Sequence, residues 1–589
     1  MLLNMDENNL YHESAIKHVR GKSIYVNDID AGKLMLCGKV FYSPFSHAEI
    51  KSINIEKALK VKGVHAILTY KDIPGINQLG PVYHDELCLA ENEVTFMGQA
   101  IALIAAESIE IALKAEKLIE VVFNQKHPVI TIEEAIEKNQ LLAEPRIISR
   151  GDVESALNNS LHTIEGTLKT GAQEHWYLET QSSLCIPVED DYYIYSSTQH
   201  PSETQAIVAE VLGLNRNRII VEVKRMGGGF GGKETQGNHV AAWAALLSYH
   251  TKRPVKIHLF RDDDQIMTGK RHRFISNYKI GFDSDGVINA YKVELNSDAG
   301  ACADLSMAIL ERAVFHADNS YYIPNISVQG RAWITNLPPN TAFRGFGGPQ
   351  GMAVIENAID RIARFLGKDP AEIRLKNFYK EEHNNLTHYE QKVENNRLFT
   401  IFNNLVKSSD YYNRRKEIDK FNEKNEFYKK GIALTPVKFG ISFTTSFLNQ
   451  AGALVNIYQD ASVQVNHGGT EMGQGLHTKI LGIAAKELGI SPENIRINPT
   501  DTSKVPNTSA TAASSGSDLN GMAVKNAIDL LKTRLIPLII DEYKLKYPEI
   551  EIDDKHFVFE RNCIYHPNHP DKAFTFAEIV KKAYLSKIS

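Results

Sequence analysis

Residues 225–235 read RMGGGFGGKET, and five of these eleven positions are glycine. The run ahead of them, 218–224, alternates like a strand, and 239–249 behind them reads as a helix. Strand, glycine loop and helix in that order tie this part of the chain to an α/β arrangement. In such a loop backbone N–H groups converge on an anion, and glycine lets a ligand approach the main chain. Two nucleotide motifs overlap here. Gly227, Gly229 and Gly232 satisfy G-x-G-x-x-G, and Gly227, Gly232 and Lys233 satisfy G-x-x-x-x-G-K. Both fail on chemistry. The phosphate loop needs a Ser or Thr hydroxyl for magnesium after its lysine, and Glu234 would set negative charge beside phosphate. The dinucleotide loop wants a carboxylate about 20 residues on, and 253–255 offers none.

Two further loops are as dense in glycine: 340–351 (NTAFRGFGGPQG) and 467–475 (HGGTEMGQG). A tight turn needs one or two glycines. Three such loops, each carrying Phe, Arg or Gln, imply main chain crowded around a large polar ligand.

The rest of the chain is that of a globular protein. Its 589 residues are 43% hydrophobic and 23% charged, with a net charge of −5, which gives no reason to expect a nucleic acid or membrane partner. The longest apolar runs, such as 100–106 and 535–540, are too short to span a bilayer, and the N-terminus carries no secretory pattern. Five scattered cysteines, never C-x-x-C, suit reduced thiols in a cytoplasm and leave no cysteine-ligated iron–sulfur cluster of the usual spacing within the chain.

Periodicity divides the chain into an α/β module at 15–142, a strand-rich region at 153–405 and a third region at 432–589. Strands are predicted at 39–45 and 63–69 and a helix at 109–122. The stretch 143–152 reads as a linker, with Pro145 and Gly151. GFDSDG at 281–286 is a hairpin turn, and the charged stretch 408–431 reads as a solvated helix. Strands are expected again around 432–442 and 453–458, then helices at 475–488 and 521–541.

RMGGGFGGKET, ERAVFHADN (311–319), NTAFRGFGGPQGM (340–352), GISFTTSFLNQAGA (440–453), HGGTEMGQGLHTK (467–479) and VPNTSATAAS (505–514) closely resemble, in order, the molybdopterin-binding part of xanthine dehydrogenases. GKSIYVNDI (21–29) resembles the start of the family's small hammerhead domain. The resemblance covers nearly the whole chain. It implies an α+β protein: an N-terminal hammerhead α/β domain, then two mixed α/β molybdenum-cofactor-binding domains, the last incomplete. It implies molybdopterin, or its cytosine dinucleotide, carrying molybdenum. Matched by motif, Gln199, Phe230, Arg344 and Ala513 would lie against the cofactor or the metal, and Gln474 would reach the pterin. Phe346 and Phe443 would hold a purine ring by its face and edge, with Thr444 a polar contact. Glu234 and Arg312 would fix the orientation of the purine, Arg312 also stabilising negative charge that builds on the ring. Aldehyde oxidases of this fold tend to lack that pair. The implied reaction is hydroxylation of a purine carbon with water as oxygen source. Electrons would leave through 2Fe–2S clusters and FAD on a partner subunit, or a segment outside this chain, to NAD, in a hetero-oligomer.

One element of the family pattern is missing. Its proton-accepting glutamate lies in a K-x-x-G-E-P-P stretch, and no such stretch occurs in these 589 residues. Glu234 is no substitute, because its motif places it with the substrate. The expectation is a truncated gene product or incomplete sequence, with a split gene or a degenerate protein as the alternatives.

Overall fold

The structure, a computed structural model, describes residues 10–550, 552 and 556–588. They form two compact units. The first lies within Met1–Lys126, His175–Thr268 and Ile441–Ser589, and the second within His127–Glu174 and Gly269–Gly440.

The first unit is organised by a mixed sheet of eight strands. Their order is Thr500–Asp501, Ile219–Val223, Asp191–Ser196, Ser182–Val188, Val255–His258, Leu36–Tyr42, Ala100–Ala106 and Val64–Leu68. Ala100–Ala106 is apolar throughout and buried throughout, the pattern of a central strand covered on both faces. Leu36–Tyr42 pairs antiparallel to it and parallel to Val255–His258. The N-terminal module therefore shares one sheet with strands that follow much later in the chain. Helices Pro201–Leu212 and Gly237–Thr251 contribute Val208, Val211, Trp243 and Leu247 to the core of this sheet.

The helix predicted at 109–122 stops at Glu116. Beyond it, Glu120–Gln125 carries adjacent valines and a phenylalanine and pairs with Ala48–Asn54 instead, because β-branched and aromatic side chains pack better on a pleated surface. Near the C-terminus, strands Ala453–Ile457, Val463–His467 and Ile495–Ile497 form a smaller sheet. Helices Leu476–Leu488 and Gly516–Lys546 pack on it through Ile480, Val524 and Ile528. Helix Gly516–Lys546 outruns the predicted 521–541 at both ends and continues through Pro537.

The second unit is a five-stranded sheet ordered Arg146–Arg150, Asn325–Ile334, Ile288–Gly300, Phe274–Phe282 and His162–Thr170. The predicted hairpin turn joins two of these strands, with Asp283 Oδ1 accepting from the Asp285 and Val287 amides. The stretch 143–152, expected to be a linker, contains the edge strand Arg146–Arg150, whose backbone pairs with Ile326–Gly330. Helices Ser306–Phe315 and Gly348–Leu366 bury Leu310, Val314, Ile355 and Ile359 in the core of this unit.

The charged stretch forms helix Tyr411–Lys424, exposed along most of its length. No strand forms at 432–442. Side chains claim its backbone instead: Asn319 donates to the Pro436 carbonyl and accepts from the Lys438 amide.

Candidate functional site

In the first unit three loops are laced together. The glycine loop leaves strand Ile219–Val223 and enters helix Gly237–Thr251. Gly228 and Gly231 have φ of +93° and +100°, and Phe230 between them sits at 56° with its ring partly exposed. Left-handed φ is costly for any side chain but glycine's, so a phenylalanine held there marks a position fixed by its surroundings.

Gln199 does part of that fixing. Its Oε1 accepts from the Gly231 amide at 2.9 Å, and its backbone amide donates to the Lys233 carbonyl at 2.7 Å. A Cβ on Gly229 would stand 2.7 Å from Gln199 Oε1, so glycine is what admits the amide. The other end of Gln199 reaches the stretch 505–514. Nε2 donates to the Thr511 carbonyl at 3.2 Å, and the Thr511 amide donates back to the Gln199 carbonyl at 2.9 Å. Ala513 and Ser514 in that loop both have positive φ, 54° and 57°. The Ala513 carbonyl accepts from the Ser442 amide at 2.8 Å, which brings Phe443 beside it in the chain. Phe443 is half-buried, and its backbone is held at both ends by the Asn449 amide; Thr444 is exposed.

The HGGTEMGQG loop completes the set. Glu471 accepts from the amides of Gly473, Gly475 and His477 at the start of helix Leu476–Leu488. Burial raises the carboxyl, and these N–H bonds more than offset it, so Glu471 is held below its ordinary value. The Met226 amide donates to the Glu471 carbonyl at 2.8 Å, and the Thr470 amide donates to Thr511 Oγ1 at 2.8 Å. Gln474, expected to reach the pterin, is turned into its own loop. Oε1 accepts from the Met472 amide and Nε2 donates to the Thr470 carbonyl.

Sequence reasoning missed the anchor of the glycine loop. Glu179 Oε2 accepts from the Gly227 amide at 2.8 Å, Ser197 Oγ at 3.1 Å and Lys233 Nζ at 3.2 Å. Lys233 is fully buried, with its ammonium 4.7 Å from the centre of the Tyr177 ring. The lysine of the apparent phosphate loop therefore points inward. No motif signals this; the GKE tripeptide shows only that the hydroxyl is absent. Glu234 is also buried, and its charge is felt at His200. Burial pushes that imidazole down, but Glu203 and then Glu234 leave it above its ordinary value.

Arg312, Arg344 and Phe346 lie in the second unit. Arg312 is buried on helix Ser306–Phe315. A Cβ on Gly347 would fall 2.0 Å from the Ile309 carbonyl oxygen, and one on Gly351 would fall 2.2 Å from that of Ala313. These glycines let helix Gly348–Leu366 lie backbone to backbone against the helix of Arg312. The approach sets the Phe346 ring 5.9 Å from the Arg312 guanidinium carbon, with Phe346 at a φ of 48°. Phe439 faces the same guanidinium at 5.6 Å. Arg344 is exposed, and its carbonyl accepts from Arg271, whose guanidinium stacks 3.9 Å from the Phe343 ring.

The donor set of the first unit suits molybdopterin. Thr470 Oγ1, His467 Nε2 and Asn520 Oδ1 are buried on or behind the 467–475 loop with no hydrogen-bond partner, and a polar pterin with its phosphate offers partners of both kinds. None of the five cysteines is in a disulfide, and burial pushes the Cys88 and Cys185 thiols up to about 12, as expected of packed, unreactive thiols. Among the described residues no cluster of three or more His, Cys, Asp or Glu could hold a metal ion, and no helix is long and apolar enough to cross a membrane.

Comparison with known proteins covers most of the chain. Residues 20–127 match the aldehyde oxidase and xanthine dehydrogenase a/b hammerhead domain, and 134–378 and 404–589 each match a molybdopterin cofactor-binding domain. The chain is 46% identical to xanthine dehydrogenase of Dictyostelium discoideum and 47% identical to that of Calliphora vicina, over 90% of its length in both. It is 44% identical to xanthine dehydrogenase/oxidase of Gallus gallus. It spans 39% of the length of each of these relatives. Among solved structures, quinoline 2-oxidoreductase from Pseudomonas putida 86 superposes with a TM-score of 0.86 over 98% of this chain and 76% of its own, at 24% identity. A Cu,Mo-CO dehydrogenase superposes at 0.85 over 98% of this chain and 77% of its own, at 22% identity. Those two likenesses establish the fold. With the hammerhead and both cofactor-binding domains in family order, the chain belongs to the aldehyde oxidase and xanthine dehydrogenase family and carries its molybdopterin-binding region.

Proposed function

We propose that the chain is the molybdenum-cofactor region of a xanthine dehydrogenase-type oxidoreductase that hydroxylates purines, hypoxanthine to xanthine and xanthine to urate. The observation that carries this reading is the pair Glu234 and Arg312: both are charged and both are buried, in a chain 46–47% identical to relatives named xanthine dehydrogenase. Charged side chains are rarely buried without a task or a partner.

Gln199, Phe230, Ala513 and Gln474 are assigned to hold the cofactor in the first unit, and Arg344 in the second. When bound, that group supplies the oxygen transfer and the two-electron redox chemistry. The chain's own residues orient and polarise the substrate. Phe346 and Phe443 offer flat apolar faces to a heterocycle at little conformational cost, and Thr444 a hydroxyl. Glu234 hydrogen-bonds a polar edge of the purine. Arg312, desolvated and already positive, stabilises negative charge as it grows on the ring, and a fixed charge in a water-poor setting does so with little reorganisation. The proton acceptor is assigned to a glutamate of the G-E-P-P kind, which these 589 residues do not contain. Electron exit is assigned to 2Fe–2S clusters and FAD on a partner chain or another segment, then to NAD. The same reading puts the protein in the cytoplasm, in keeping with cysteines that form no disulfide.

The test is turnover by the cofactor-loaded protein with its electron-transfer partner. Glu234→Ala and Arg312→Gln should each lower kcat/KM for xanthine by roughly 10²-fold, the usual cost of removing one oriented charge-stabilising group. A protein that prefers an aldehyde or another N-heterocycle, and is indifferent to both substitutions, is not a purine hydroxylase.

A further inference from the structure

We propose that His316, one helical turn beyond Arg312, is a positioning residue that holds the Arg312 guanidinium through the Gly440 peptide. The inference rests on the role proposed above for Arg312, and it adds a residue to which that reading assigns nothing.

The polarity of four hydrogen bonds carries it. His316 Nδ1 lies 2.8 Å from the Arg312 carbonyl oxygen, which can only accept, so Nδ1 carries the proton. His316 Nε2 lies 3.1 Å from the Gly440 amide, which can only donate, so Nε2 presents its lone pair. Two backbone groups of opposite polarity thus fix one neutral tautomer of the ring. The same Gly440 peptide then turns its carbonyl to Arg312, which donates to it through Nη1. Finally, the His316 amide donates to the Arg312 carbonyl at 3.1 Å, closing the loop on the helix. Gly440 is gripped at its N–H by the imidazole and at its C=O by the guanidinium.

Packing repeats the arrangement. The Phe439 ring lies 5.2 Å from the His316 ring and 5.6 Å from the Arg312 guanidinium carbon. The segment is anchored one residue earlier as well: Lys438 Nζ is 2.7 Å from Asp318 Oδ1. Irregular chain at 436–440 is thereby anchored by Arg312 on helix Ser306–Phe315 and by His316, Asp318 and Asn319 at and just beyond its end. A long arginine side chain loses several rotatable bonds' worth of freedom when it must meet a ligand, and a preset carbonyl removes part of that cost. Protonating His316 would set an N–H against the Gly440 N–H and a positive charge beside Arg312 and Lys438, partly offset by Asp318. The neutral ring is the functional one.

The test uses His316→Gln, whose Oε1 can still accept from Gly440, and His316→Leu, which fills the space without an acceptor. Hydrogen–deuterium exchange of the peptide covering 436–441 is read first, on the protein without substrate. Exchange should speed up by about 10-fold or more in His316→Leu and stay near the wild-type rate in His316→Gln. Unchanged exchange in His316→Leu overturns the proposal. Xanthine turnover of the loaded protein is read next for His316→Leu, Arg312→Gln and the double variant. The leucine variant should lose about 10-fold or more in kcat/KM, the worth of a hydrogen bond to a charged group. The double variant should lose little beyond Arg312→Gln alone. Additive losses overturn the proposal, because His316 then acts by another route. If Arg312→Gln alone leaves turnover intact, the purine reading itself falls and the positioning role falls with it. That outcome is recognised from the arginine variant without reference to His316.

Discussion

The Lys233 ammonium lies 3.2 Å from the Glu179 carboxylate, wholly out of solvent and under the Tyr177 ring. Burial depresses the lysine, and the Glu179 charge only partly restores it. Breaking such a pair from one side leaves a stranded charge, which costs roughly 3–5 kcal/mol. Glu179→Ala should therefore cost that much in urea unfolding. The combination Glu179→Gln with Lys233→Met, which removes both charges, should be milder than Glu179→Ala. If the single variant is as stable as the wild type, Glu179 is not the anchor of the glycine loop. Because Lys233 is consumed here, ATP should give no rise in melting temperature.

Gly351 and Gly367 sit at the interior and the end of one helix and should respond differently to alanine. A Cβ at Gly351 meets the Ala313 carbonyl oxygen at 2.2 Å, whereas at Gly367, with φ +64°, it meets nothing within 4 Å. Gly367→Ala carries only the left-handed backbone penalty of about 1–2 kcal/mol. Gly351→Ala must push the helix of Arg312 away and should cost more, with a fall in melting temperature that exceeds that of Gly367→Ala. Equal shifts would mean that the two helices separate without cost.

The glycine loops were legible because they are long and local, and so were most strands and helices with a clear period. What failed was decided by distant partners. Glu120–Gln125 became a strand because Ala48–Asn54 was there to pair with it. Arg146–Arg150 became an edge strand despite Pro145 and Gly151, because Ile326–Gly330 had free backbone groups. The stretch 432–442 has β-branched and apolar residues, yet Asn319 and His316 claim its backbone. At the candidate site, motifs marked Gln199 and Glu234, ran through His316 without giving it a role and were silent on Glu179. Each of those is an ordinary residue type whose importance lies in which backbone groups it meets.

Acid should weaken the fold well above the pH at which carboxylates titrate. Burial, with Lys438 and Arg312 nearby, holds His316 down at about 4, and burial beside Arg271 holds His272 at about 3. Both are depressed from about 6.5, so between these values the unfolded chain binds protons that the folded chain refuses. Stability is complete above about pH 6.5 and falls as pH drops toward 4, by on the order of 3 kcal/mol for each histidine. Melting temperature measured from pH 7.5 to 4.5 should fall along this range, and His316→Gln should show a shallower slope. A profile flat to pH 4.5 would contradict the neutral, buried state of both rings.

Gln199 links two loops of the first unit with one side chain, so its removal should act on cofactor retention more than on the fold. Gln199→Ala frees the Gly231 amide, next to Phe230, and the Thr511 carbonyl, two residues before Ala513, and leaves the large sheet untouched. Two neutral hydrogen bonds contribute about 1–3 kcal/mol together, a modest share of a domain's stability. A cofactor held by the converging loops would lose its seat when they drift apart. Molybdenum per chain, measured by mass spectrometry on protein made with the cofactor available, should drop several-fold, while melting temperature without cofactor shifts by only a few degrees. Leu212→Ala, a core substitution in the same unit, serves as the control: it should lower melting temperature more and molybdenum content less. If Gln199→Ala keeps its molybdenum, the loops do not rely on this bridge to hold the pterin, and the role assigned to Gln199 is wrong.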